Sequence, residues 1–306
     1  TIPLAVLQSF GLIKLLQSSQ ANILPNLTNF SFWSIIITTT AGTVFLMWIG
    51  ELITEKRIGN GISLLIFAGI IAALPRVLQT AAINYSAQDF YTYLLFFGVA
   101  IGTIVGVVAI NEAQRNIPVN YAKRLIGSKS FGGSSSYLPL RINTAGVIPI
   151  IFAISLILFP PMIAQFFVNG SGMLATISQF TITLFNNQFF YSSAYFLLVF
   201  GFTYFYTAII FQPEKVAENL QRQGGFIPGI RPGKETEQYL GKVMNRLVFS
   251  GATFLGLIAV LPFILQAATG MQALAVGGTS LLIVVSVAID IARQIEAQIT
   301  LHEYSS

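Results

Sequence analysis

Long apolar runs separated by short polar segments set the pattern of this chain. Eight of them fall at residues 2–16, 32–49, 62–78, 91–110, 146–168, 191–211, 247–265 and 278–292. Crossing about 30 Å of hydrocarbon at 1.5 Å per residue takes about 20 residues of helix. Most of the runs are near that length; the first is short, and the third and last are marginal. Lipid offers no partner to a backbone N–H or C=O, so each run is assigned a helix and no strand crosses the membrane. The predicted class is all-α: a polytopic helical membrane protein with eight transmembrane helices.

Composition agrees. Hydrophobic residues make up 54% of the 306 and charged residues 9%, against about 25% charged in a soluble domain. The chain has no cysteine, which excludes disulfides and thiolate chemistry, and one histidine, His302. Residue 1 is Thr and the chain opens inside an apolar run with no cleavable signal. It therefore reads as a fragment or processed product whose start lies upstream.

Charge distribution gives the orientation. Lys56, Arg57, Arg115, Lys123, Arg124, Lys129, Arg141, Arg293 and six residues between Phe211 and Leu247 share one side, 14 of the 16 basic residues. The opposite side has Arg76, and Lys14 lies near the end of the first run. Basic loops stay cytoplasmic, or stromal in an organelle, so both ends of the chain belong on that side. The opposite loops, 17–31, 79–89 and 169–188, are polar, almost uncharged and read as solvated connectors.

The longest polar run is FQPEKVAENLQRQGGFIPGIRPGKETEQYLGKVMNRL, residues 211–247. Its centre, GGFIPGIRPG, holds two prolines and four glycines, so it cannot continue a helix and forms a shaped turn that lifts Arg231 clear. A second basic protrusion, RNIPVNYAKRLIGSKSFGGSSSYLP, is a β-hairpin or irregular. Such loops contact lipid headgroups, ribosomal RNA or an acidic protein face. GELITEKRIGNGIS, with glycines around Asn60, is a tight connector. In RINTAGVIPIIFAISLILFP, Pro149 is expected well inside the fifth run, where it would remove a backbone hydrogen bond and leave a helix able to move.

Absences narrow the class. There is no phosphate loop, no zinc-spaced His or Cys set and no Ser–His pairing. Lys14, Glu51, Glu112 and Asp290 all lie near span ends. A secondary transporter is the rival reading, but it calls for ionisable groups at mid-membrane. An intramembrane enzyme needs a nucleophile–base or metal set that one terminal histidine does not supply. No cofactor is expected.

GELITEKRIGNGISLLIFAGIIAALP, RNIPVNYAKR, LPLRINTAGVIPIIFA, GGFIPGIRPG and GGTSLLIVV occur in this order. Together they resemble the SecY (SecY/Sec61-alpha) family, the channel subunits of the Sec protein translocase, over essentially the whole chain. The resemblance implies a clamshell of ten helices in two halves, with the eight spans matching the third to the tenth. Residues 1–89 would be an incomplete N-terminal half of three helices. Residues 90–306 would be a C-terminal half of five, carrying basic loops 112–142 and 212–246. The family's first two helices and plug have no counterpart in this sequence.

The resemblance also implies roles. Ile66, Ile70, Ile151 and Ile283 match the apolar pore ring; Pro149, Ser155 and Phe159 match the lateral gate; Arg231, Lys234, Lys123 and Arg124 match the docking surface for motor and ribosome. The implied partners are a SecE-like small membrane subunit, SecG, the SecA motor ATPase, a ribosome or signal-recognition pathway, unfolded preproteins and the lipid membrane. Abundant Ile, Phe, Asn and Gln, with no Cys and a short tail, resemble a plastid thylakoid copy, or alternatively a cyanobacterial one.

Overall fold

The computed structural model describes residues 2–18, 28–56, 59–83, 90–121, 124–126, 129–131, 135–168, 170, 172–269 and 272–303. Its helices are α1 (Ile2–Ser18), α2 (Asn29–Glu55), α3 (Gly61–Ile83), α4 (Phe90–Glu112), α5 (Ile148–Phe167), α6 (Met173–Asn186), α7 (Gln188–Ile210), α8 (Pro213–Arg222), α9 (Lys234–Thr269) and α10 (Gln272–Glu303). Its strands are β1 (Gln114–Tyr121), β2 (Arg124–Ile126), β3 (Lys129–Phe131), β4 (Ser135–Arg141) and β5 (Gly225–Phe226).

Each predicted apolar run falls on one of these helices, apart from a residue or two at the ends of α5 and α7. Five helical stretches are long and apolar enough by themselves to cross a membrane: Asn29–Glu55, Tyr93–Glu112, Ile148–Phe167, Gln188–Arg222 and Lys234–Ala267. Large apolar side chains on their outer faces, such as Trp33, Ile37, Phe45 and Trp48 of α2, are exposed. An apolar surface of that extent suits contact with lipid chains, not water.

Three expectations need correction. Residues 173–186 are not a loop but helix α6, packed on α5 and α7. The polar run after Phe211 is also mostly helical: α8 is strongly amphipathic, and α9 begins at Lys234, well before the apolar run starts. At 36 residues and 1.5 Å per residue, α9 is about 54 Å long and stands far beyond the hydrocarbon. Pro149, finally, sits in the first turn of α5. That position lacks an intrahelical N–H partner in any case, so the proline starts the helix without loosening it. The prolines inside α5 are Pro160 and Pro161.

Two buried clusters hold the described residues together, by different physics. The first lies among α4, α5, α7, α9 and α10 and includes Val107, Ala153, Ile157, Val199, Leu255 and Val287. Between lipid-facing helices apolar burial gains little, so close packing holds this cluster. Small residues make that possible: a β-carbon on Gly256 of α9 would stand 2.7 Å from the ring of Phe196 on α7. Tyr191 and Tyr195 of α7 meet Phe263 of α9 edge-on, at 5.2 and 5.9 Å between ring centres.

The second cluster joins Ile117 and Val119 of β1, Leu140 of β4, Leu220 of α8, and Leu240, Val243, Met244 and Val248 of α9. Here ordinary hydrophobic burial applies, about 1.5–3 kcal/mol for each fully buried aliphatic side chain. β1 alternates in strand fashion: Ile117 and Val119 face inward, while Asn116 and Pro118 face out. β1 pairs antiparallel with β4 from Gln114↔Arg141 to Asn120↔Ser135, and with β5 at Asn120↔Phe226 and Tyr121↔Gly225. β5 thus stops short of Pro118, where β1 is flanked by β4 alone, as suits a residue without an N–H. The two basic protrusions therefore form one folded body.

Candidate functional site

Among the positions matched to a pore ring, Ile66 and Ile70 lie one helical turn apart on α3 and pack, partly buried, against the first cluster. Ile151 of α5 packs on the same cluster, and Ile283 of α10 is buried within it. Three helices distant in sequence thus bring all four isoleucines to one apolar centre. The hydrophobic side chains around that centre are aliphatic and aromatic, and Ser286, one turn from Ile283 on α10, is buried as well.

The gate-matched positions run along α5. Pro149 is buried at its start. Ser155 is exposed, and its Oγ donates to the carbonyl of Ile151 at 2.9 Å. Phe159 is half-buried. On either side, α5 meets α7 through Phe152 stacked on Phe202 at 5.8 Å, and α1 through Phe166 stacked on Phe10 at 4.9 Å.

Of the docking-matched positions, Arg231 and Lys234 border the second cluster, to which Ile230 and α9 contribute. Arg231 is presented on a braced turn: Ile230 N–H donates to the Ile227 carbonyl at 3.0 Å, and buried Thr236 donates to the Arg231 carbonyl at 2.9 Å. Gly229 and Gly233, at φ 82° and 96°, supply backbone that other residues rarely adopt. The Arg231 side chain is 87% exposed, with Glu235 at 4.0 Å from its guanidinium. An exposed pair of that length contributes little, so the charge stays available. Lys234, at the first position of α9, is exposed beside it. Lys123 lies outside the described residues; Arg124 opens β2, whose backbone pairs with β3 at Arg124↔Phe131.

Between the basic sheet-and-helix body and the apolar centre lies a polar junction. Asn143 Nδ2 donates to Asn111 Oδ1 at 2.7 Å, and its Oδ1 accepts from Gly146 N–H at 3.0 Å. The Ile142 N–H donates to the Ala113 carbonyl at 3.0 Å. Arg293 of α10 donates from Nε and from one Nη to Glu112 Oε1, at 3.1 and 2.6 Å, and also donates to the Asn111 carbonyl. Asp290, one turn back, places its carboxylate against Gly146, whose φ is 63°. The sequence offered only a weak signal for this junction: Asn143, Glu112 and Asp290 are polar residues at span ends, with nothing to pair them.

Comparison with known proteins identifies the family. The SecY family model matches residues 1–292. The chain is 44% identical over 313 residues to the protein translocase subunit SecY of Halalkalibacterium halodurans, covering 99% of this chain and 72% of that one. It is 44% identical over 264 residues to the protein translocase subunit SecY of Thermotoga maritima, covering 86% of this chain and 59% of that one. Its fold is similar to a solved structure described as that of a protein conducting channel, at TM-score 0.66 and 18% identity, covering 97% of this chain and 71% of that one. A SecY structure solved in a study of the plug domain gives TM-score 0.67, also at 18% identity, with the same coverage. The chain belongs to the SecY family, the multi-pass helical membrane proteins that form the channel of the protein translocase.

Proposed function

We propose that this chain passes unfolded polypeptides through a constriction lined by Ile66, Ile70, Ile151 and Ile283, and releases apolar segments sideways into lipid past α5. The observation that carries this reading is the convergence of those four isoleucines, from three helices, on one apolar cluster. A collar of branched apolar side chains fits around a moving chain without binding it. It also solvates ions poorly and tends to dewet, so it seals when narrow. The channel lowers the cost of carrying a backbone across hydrocarbon, where each unsatisfied polar group costs several kcal/mol.

The chain performs no covalent chemistry in this reading, so the driving energy comes from a docked partner. Arg231 and Lys234, with Lys123 and Arg124, form the basic face that receives the SecA motor or a ribosome. Arg231 suits this role because its planar, permanently charged fork stands on a braced turn and is almost fully exposed. Pro149, Ser155 and Phe159 lie on the gate helix. Residues 1–89 and 90–306 act as the two moving halves, held by a SecE-like subunit, with SecG as a further small subunit. The membrane is a plastid thylakoid membrane or, as the alternative, a bacterial (cyanobacterial) inner or thylakoid membrane, with the basic face on the stromal or cytoplasmic side.

The test is reconstitution of the full-length protein with its small partner subunit in liposomes, followed by addition of motor, ATP and a preprotein. The expected result is ATP-dependent protection of the preprotein from external protease. Failure of protection with a correctly inserted complex would sink the reading.

A further inference from the structure

We infer that Arg293 is a positioning residue that couples the basic docking body to the gate helix; this rests on the proposed translocation function. Its guanidinium is about one-fifth exposed (21%) and reaches both the carboxylate of Glu112 and the carbonyl of Asn111. Those two residues end α4, where the last carbonyls have no intrahelical partner and the helix dipole is negative. Arg293 therefore caps α4 from a different helix.

The connection between α4 and the docking hairpin makes that cap mechanically important. A single residue, Ala113, separates α4 from β1, and six residues, 142–147, separate β4 from α5. The docking hairpin is thus joined at one foot to α4 and at the other to α5. The two feet are bonded to each other through Asn143 and Asn111, and through Ile142 and Ala113. The same turn of α10 touches all three neighbours. Asp290 lies against Gly146 at the entry to α5, Arg293 holds α4, and Gln294 lies beside Gly59 in the α2–α3 connector, where a β-carbon would stand 3.2 Å from its Oε1. A load applied to the hairpin is held at α4 by Arg293 and so passes to α5. Without Arg293 the hairpin would shift together with the end of α4, and α5 would receive less of the displacement.

The experiment uses the full-length protein with its partner subunit in liposomes. The variants are Arg293→Ala and Glu112→Ala. Motor binding to the liposomes and preprotein import are measured on the same preparations. The expected result for Arg293→Ala is motor affinity within about twofold of wild type and import reduced about tenfold, a coupling loss of ordinary size. Glu112→Ala, which leaves the Arg293 bond to the Asn111 carbonyl in place, should lose less import than Arg293→Ala. Unchanged import in Arg293→Ala, equal losses of binding and import, or a loss in Glu112→Ala as large as that in Arg293→Ala would each overturn the proposal.

Should Arg293→Ala fail to accumulate in the membrane, Arg293→Lys takes its place. An ammonium keeps the charge but lacks the fork that serves carboxylate and carbonyl together. Import reduced at retained motor affinity is again the expected result, and wild-type import overturns the proposal. A wild-type preparation that binds the motor yet imports nothing refutes instead the translocation reading on which the inference stands.

Discussion

Asn143 donates to Asn111 at 2.7 Å across 32 positions of sequence, and both side chains are buried. The β1–β4 hairpin is the segment between them, and this bond closes its base together with that from Ile142 N–H to the Ala113 carbonyl. Deleting either partner leaves a buried amide unsatisfied, at a cost of about 1–3 kcal/mol. Asn143→Ala and Asn111→Ala should each lower the unfolding temperature of the purified protein. Because the two groups serve each other, the double variant should cost less than the sum of the single ones. Strict additivity in thermal melts would show that the bond does not matter.

Gly61 starts α3 directly over Gly50 of α2, and a β-carbon at 61 would overlap the Gly50 carbonyl oxygen. Gly61→Ala should force α2 and α3 apart and lower the amount of folded protein in the membrane several-fold, since the clash is with backbone and not with a side chain that could turn away. Gly69, also on α3, has open space where its β-carbon would be. Gly69→Ala should be harmless or slightly stabilising. Equal effects at 61 and 69, compared by membrane yield and thermal melt, would contradict the close approach.

Arg231→Glu should abolish motor-driven import while leaving membrane insertion and unfolding temperature unchanged. The side chain is exposed, and the turn that carries it is held by backbone bonds and Thr236. Reversing a surface charge of this kind shifts stability by about half a kcal/mol at most. Normal import in this variant would remove Arg231 from the docking face.

Replacing Ile66, Ile70, Ile151 and Ile283 together with Ala should raise ion conductance across a bilayer holding the full-length complex. The apolar collar would widen and hydrate more readily. Conductance indistinguishable from wild type in planar-bilayer recordings would argue that these four do not line the path.

The natural chain has no cysteine, so single cysteines report sidedness cleanly. Arg231→Cys should react with an impermeant maleimide added from the cytoplasmic or stromal side, and Arg76→Cys from the opposite side. Labelling of both from one side would invert the topology.

The sequence by itself determined the class, the helices in lipid and the family, and it grouped the basic loops on one side. These rest on local quantities: the length and apolarity of a run, the count of Lys and Arg in a loop, the order of five motifs. It also pointed to the four isoleucines, although only through motif register, because one isoleucine in an apolar helix looks like any other. Tertiary structure decided what depends on pairs of distant residues. It joined two basic loops into one sheet-and-helix body through β1, β4 and β5. It placed Pro149 at a helix start, which the apolar run around it concealed. It also set Arg293 on the end of α4, 181 positions away from Glu112. A polar residue at the end of a span carries no sign of its partner. Only the folded packing of α4, α5 and α10 brings the partner within hydrogen-bonding distance.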